Sequence, residues 1–122
     1  MPSIDAIEGM HHRDATALRK ARVRTTEALL KRGGTPAGRR DLAEVTGLQE
    51  ADLLAWANRA DLLRIKGIGP EYALMLTKAG VETLKELRRR NAANLARLLS
   101  DVGAKMPSVR RVPTEEAVAS WI

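Results

Sequence analysis

The stretch RIKGIGPEYALMLTKAG, residues 64–80, sets two glycines on either side of one apolar residue, follows them with Pro70, and carries lysines at Lys66 and Lys78. Around it, Leu62, Ile65, Ile68, Ala73 and Leu76 are spaced as two short helices require if they meet at a sharp bend and bury one seam. Gly67 and Gly69 flank Ile68 in that bend, where a side chain either forces an unfavourable φ or keeps other backbone away. Pro70 suits the first turn of the second helix, because the N–H it lacks has no partner there. The amides around Gly69 and the helix start at Glu71 then face outward at the positive end of a helix dipole, a natural seat for a phosphate. The competing reading is a packing corner and nothing more.

The same pattern occurs twice. A shift of 58 positions lays IEGMHHRDATALRKARVRTTEAL (residues 7–29) on IKGIGPEYALMLTKAGVETLKEL (residues 65–87), and nine of the 23 positions are identical. They are Ile7/Ile65, Gly9/Gly67, Ala15/Ala73, Leu18/Leu76, Lys20/Lys78, Ala21/Ala79, Val23/Val81, Thr25/Thr83 and Leu29/Leu87. Most are apolar or turn residues at helical spacing, so the repeat records a shared fold. A looser echo pairs EADLLAWA (residues 50–57) with EEAVASWI (residues 115–122), each a helix bearing a tryptophan. These correspondences predict two units of about 60 residues, 1–60 and 61–122, packed as one domain.

The rest of the chain supports helices throughout. Its 122 residues include only Trp56, Trp121 and Tyr72 as aromatics, so the core is built from Leu, Ala, Val and Ile. Thr35-Pro36 reads as a cap followed by a first-turn proline, with Gly47 closing that helix, and Gly33-Gly34 separates two helices. Thr83-Leu84-Lys85-Glu86 is a capping box, and Thr114-Glu115-Glu116 opens the last helix. The expected fold is all-α: a compact bundle of about nine short helices with no sheet and no long linker.

Composition bounds the function. There are 21 Lys and Arg against 15 Asp and Glu, a net charge of +6 that favours polyanionic partners. The absence of cysteine removes disulfides, thiolate nucleophiles and Cys-based zinc sites. No apolar run approaches the roughly 18 residues of a membrane span, and the N-terminus lacks the charged and apolar regions of a secretory signal, so a cytoplasmic location without membrane contact is expected. His11-His12 invites a metal reading with Glu8 or Asp14, but adjacent helical residues diverge by about 100° and no third histidine exists. No metal or other cofactor is expected. No Ser, His and acid arrangement and no GxxxxGK[ST] loop occurs, which argues against an enzyme. Trp56 and Trp121, at matching places, are expected in the core or in the packing of one half on the other rather than stacked on bases, and Tyr72 is expected to be exposed.

Residues 65–76, IKGIGPEYALML, with Gly80-Val81 beyond them, resemble the helix-hairpin-helix motif at every element of its pattern. The resemblance implies two tandem helix-hairpin-helix units (SAM-like type) related by internal duplication. It also implies hairpin amides that hold a DNA phosphate without reading bases. Carried over, Gly67, Ile68 and Gly69 are the backbone donors, Lys66 is the charged neighbour, and Arg64 and Lys78 are further candidates. In the first copy Gly9 is kept, but His11 stands where Gly69 stands in the second. The helix-hairpin-helix glycosylases and lyases place a catalytic Lys or Asp in added segments for which this chain has no counterpart. Over nearly its whole length, from IEG through GGTPAGRRDLAEVTGL to RRVPTEEAVASWI, the chain is similar to the bacterial family called domain of unknown function 4332, which supplies no activity.

Two functions follow as expectations. One is a non-enzymatic DNA-binding module, sequence-independent or structure-selective, that uses the second hairpin and nearby Lys and Arg on phosphates. The other is a protein-interaction or scaffolding domain in which the hairpin is architecture. Arg88-Arg89-Arg90 is either a phosphate contact or a solvated helix end.

Overall fold

The structure, a computed structural model, describes residues 3–107, 109 and 111–122. Among these the fold is all-α. A 3₁₀ turn at Ile4–Ala6 precedes α1 (His12–Lys20), α2 (Thr26–Gly33), α3 (Pro36–Thr46), α4 (Glu50–Leu62), α5 (Pro70–Lys78), α6 (Leu84–Arg88), α7 (Ala92–Ala104) and α8 (Glu115–Trp121). The one extended pairing among the described residues is an isolated antiparallel bridge between Ser3 and Thr25. The chain divides into two compact units, one reaching Asp61 and the other running from Leu62 to Ile122.

Short helices of five to thirteen residues are marginal alone, so their ends matter. Thr25, Thr35, Thr83, Asn91 and Thr114 each accept, through a side-chain oxygen, the N–H three residues on, at 3.0–3.1 Å. Each of these bonds satisfies one of the orphan donors of a helix start. The capping box at Thr83 is wider than its usual form: the Glu86 carboxylate accepts from Glu82 N–H at 3.1 Å, one residue before the cap. Gly47 ends α3 at φ 76, its N–H donating to Ala43 O at 2.8 Å. Gly33 is the last residue of α2 rather than a spacer, buried beside Leu29 and Ala57, and Gly34 follows as the cap. Asp5 and Arg19 tie the 3₁₀ turn to α1 by a 2.5 Å ion pair, and that guanidinium holds the exposed Asp5 carboxyl below the usual carboxylate range.

The backbone repeats at the offset that the sequence repeats. Helices α1 and α5 coincide under the 58-residue shift, as do the Thr25 and Thr83 caps. Both helices end in a Schellman motif. Val23 N–H donates to Leu18 O at 2.9 Å and Arg22 N–H to Arg19 O at 2.9 Å, while Val81 N–H donates to Leu76 O at 2.8 Å and Gly80 N–H to Thr77 O at 3.0 Å. The left-handed residue of the motif is Gly80 (φ 91) in the second unit and Arg22 (φ 67) in the first.

Burial follows the same register. Ile4/Leu62, Ala15/Ala73, Leu18/Leu76, Val23/Val81 and Leu29/Leu87 are all buried at the 58-residue offset. Leu53/Val118 and Trp56/Trp121 are buried at an offset of 65, so the second unit holds seven extra residues between α7 and α8. In that unit Met75, Leu95 and Leu99 complete one core with Leu62, Ile68, Leu76, Val81, Leu87, Val118 and Trp121.

Gly80→Ala places a Cβ in the left-handed region and lowers the unfolding free energy by about 1–2 kcal/mol in urea denaturation. Arg22→Gly trades relief of the same strain against a freer unfolded chain, and shifts stability by less than about 1 kcal/mol.

Candidate functional site

After α4 ends at Leu62, the chain makes two successive tight turns, with Ile65 N–H donating to Leu62 O and Ile68 N–H to Ile65 O, each at 3.1 Å. Gly67, at φ 96, reverses the chain, and the buried Ile68 side chain anchors the loop in the core. Gly69 then starts α5 from extended backbone, φ −94, and its carbonyl accepts the first helical bond from Ala73 N–H at 2.9 Å. Of the three expected backbone donors, Ile68 has its N–H already engaged. The N–H groups of Gly67, Gly69, Glu71 and Tyr72 form no hydrogen bond among the described residues. Five other helices carry a side-chain cap, whereas α5 and its counterpart α1, which begin at Gly69 and His11, carry none.

The two loop glycines exist for different reasons. At Gly67 the positive φ favours glycine, and a Cβ would lie 3.1 Å from Trp121 Nε1. At Gly69 the φ is ordinary and a Cβ would meet nothing within 4 Å. Nothing in the described chain therefore requires a glycine at 69. In the first unit Gly9 repeats the turn at φ 89, with a Cβ position 3.1 Å from Arg59 Nη1, which donates to Glu8 O at 2.6 Å. His11, at the position matching Gly69, is exposed.

The charged candidates are not all gathered. Lys66 and Arg64 are exposed in the loop itself. Lys78 lies in the last turn of α5, roughly 12 Å along the helix from Pro70, and meets the negative end of its dipole instead. Glu71, exposed in the first turn, opposes an anion at this end. From Leu62 onward the chain carries eleven Lys and Arg against six Asp and Glu; up to Asp61 the numbers are ten against nine. The intact glycine pair thus sits in the more basic half.

Arg90 is half-buried rather than fully solvated. Its Nη2 lies 3.8 Å from the position of a Gly80 Cβ, at the end of α5. Arg32, 58 residues earlier, donates from Nη1 to Ala21 O at the end of α1. This pair falls just outside the aligned window of residues 7–29, and extending the same shift by three residues finds it.

Both tryptophans are buried. Tyr72 is not the exposed residue the sequence suggests: it is half-buried, its ring centroid 5.6 Å from that of Trp121 at an angle of 50°. Beside the Gly67 turn, Lys66, Gly67, Tyr72, Ala117, Ser120 and Trp121 line a recess of about 410 Å³. Among the described residues no group of three or more His, Cys, Asp or Glu is placed to hold a metal, and no helix is long and apolar enough to cross a membrane.

The family described as Domain of unknown function (DUF4332) matches residues 8–122. The chain belongs to the DUF4332 family. That membership spans both units of this DUF4332 protein and, by its own description, assigns no activity. No curated protein and no solved structure matches the DUF4332 chain.

Gly67→Ala, strained in φ and pressed on the indole, lowers the stability of the DUF4332 protein by about 1–3 kcal/mol in guanidinium unfolding.

Proposed function

We propose that this chain is a non-enzymatic, tandem helix-hairpin-helix module that binds the DNA backbone, independently of sequence or by strand structure, through its second hairpin. Gly69 carries the reading. Its φ is one that any residue adopts, a Cβ there would meet nothing within 4 Å, and a Ser or Thr there is the ordinary way to start a helix. A glycine in its place gives up a cap and leaves the start of α5 bare, which suits a phosphate that comes close and takes the amides as its own donors. Lys66 adds a point charge in the same loop, and the basic excess of the second half draws a polyanion toward it. The first hairpin, with His11 at the matching place, holds its phosphate less closely or none, so the grip is one-sided.

A protein-docking role has weaker support. The exposed large apolar side chains among the described residues are Val45, Leu54 and Ile122, at separate places in the chain, and single exposed apolar residues are normal on any surface.

Gly69→Ser separates fold from function. The new hydroxyl caps α5 as Thr25 and Thr83 cap their helices, so stability holds or rises by up to about 1 kcal/mol. Meanwhile DNA affinity falls about tenfold, because a charge-assisted bond is lost and the approach is blocked. Fluorescence anisotropy on labelled duplex and branched DNA also shows affinity falling with salt and lost in Lys66→Glu. Binding that ignores salt and both substitutions contradicts the reading.

A further inference from the structure

We propose that the recess beside the Gly67 turn receives an unpaired nucleobase of the strand whose phosphate the hairpin holds. This rests on the phosphate reading above and adds to it a preference for bases out of the duplex. The recess, about 410 Å³, is within the range of small-ligand sites, and its lining is Lys66, Gly67, Tyr72, Ala117, Ser120 and Trp121. Trp121 is only 5% exposed and its indole N–H makes no hydrogen bond among the described residues, yet that nitrogen is not shut off from solvent. That nitrogen is the atom nearest the absent side chain of Gly67, so it stands at the joint between the recess and the loop. An N–H that opens on a recess is free to meet an acceptor that a ligand supplies.

The lining selects the ligand. The indole N–H beside the half-buried Tyr72 ring and the Ala117 methyl suits a flat, neutral heterocycle with a carbonyl on its edge. The Ser120 hydroxyl is committed as a donor to Ala117 O and presents an acceptor lone pair, which complements a ring N–H. Trp121 meets this base by its edge, not its face, since the indole is otherwise enclosed by core. Lys66 stands at the rim, where the linking phosphate passes toward the hairpin. In a continuous duplex the bases are stacked and paired, so entry requires a single strand, an end or a branch point.

The test compares three probes on the full chain: a short oligothymidine strand, the same strand with abasic sites, and a closed duplex without free ends. Trp121 emission is read in a Trp56→Phe variant, and the Trp121 indole N–H resonance is read in the unaltered protein. The oligothymidine is expected to shift both signals and to bind about tenfold more tightly than the abasic strand, with the closed duplex shifting neither. Ser120→Leu, an exposed position whose new side chain fills the recess, should bring the thymidine strand down to the abasic affinity. Equal affinity for thymidine and abasic strands with both signals unmoved overturns the base recess and leaves the phosphate grip standing. The absence of salt-sensitive binding to any probe overturns both, as when the recess takes a protein side chain instead.

Discussion

The left-handed turn at Gly67 is the constraint on which the site depends. With φ at 96, Gly67 turns the loop after α4 toward the start of α5, Ile68 drops into the core, and Trp121 closes over the place where a side chain would be. Because Ile68 is buried and Trp121 is packed against the loop, the loop is held rigidly from within. The free N–H groups of Gly67, Gly69, Glu71 and Tyr72 are therefore pre-set rather than gathered by a ligand, and pre-set donors bind without an ordering cost. The same turn at Gly9 is braced by Arg59 instead of a tryptophan. One backbone geometry thus recurs with two kinds of support, one apolar and one charged.

Much of the fold is legible in the sequence because the determinants are local. Thr35 with Pro36, Thr83 with Glu86, and Thr114 before two acids specify helix starts from residues that touch each other along the chain. Gly80-Val81, read from the motif resemblance, marks the close of α5, and the Schellman bonds are the form it takes. Asn91 as a cap is less visible, because an Ala-rich helix follows it rather than an acid at the third position. Gly33 misleads for the opposite reason. A glycine pair reads as a break, but the small residue is there to let Leu29 and Ala57 come close, which is a contact with a distant helix.

The candidate site is legible only in part. Gly67-Ile68-Gly69 is found at once, but its three residues do three different jobs that sequence cannot separate: a forced φ, a core anchor whose N–H is used, and an open position. Lys78 looks like a neighbour of the loop because it belongs to the same motif, yet nine helical residues carry it to the other end of α5. Tyr72 and Trp121 lie 49 positions apart, and nothing local announces that their rings meet beside the hairpin. That the indole nitrogen comes to lie against the Gly67 turn is equally invisible in a sequence, since it is a property of packing.

The central claim is that the bare amides of the second hairpin are a phosphate seat. A ¹⁵N-edited titration of the full chain with short duplex DNA at low salt tests it at atomic positions. The account predicts the largest shifts at the backbone N–H groups of Gly67, Gly69, Glu71 and Tyr72, moving together along one saturable curve, with Ile68 shifting least among the loop residues. Shifts spread over the arginines at the helix ends, with those amides unmoved, would contradict it and leave the hairpin as a packing corner.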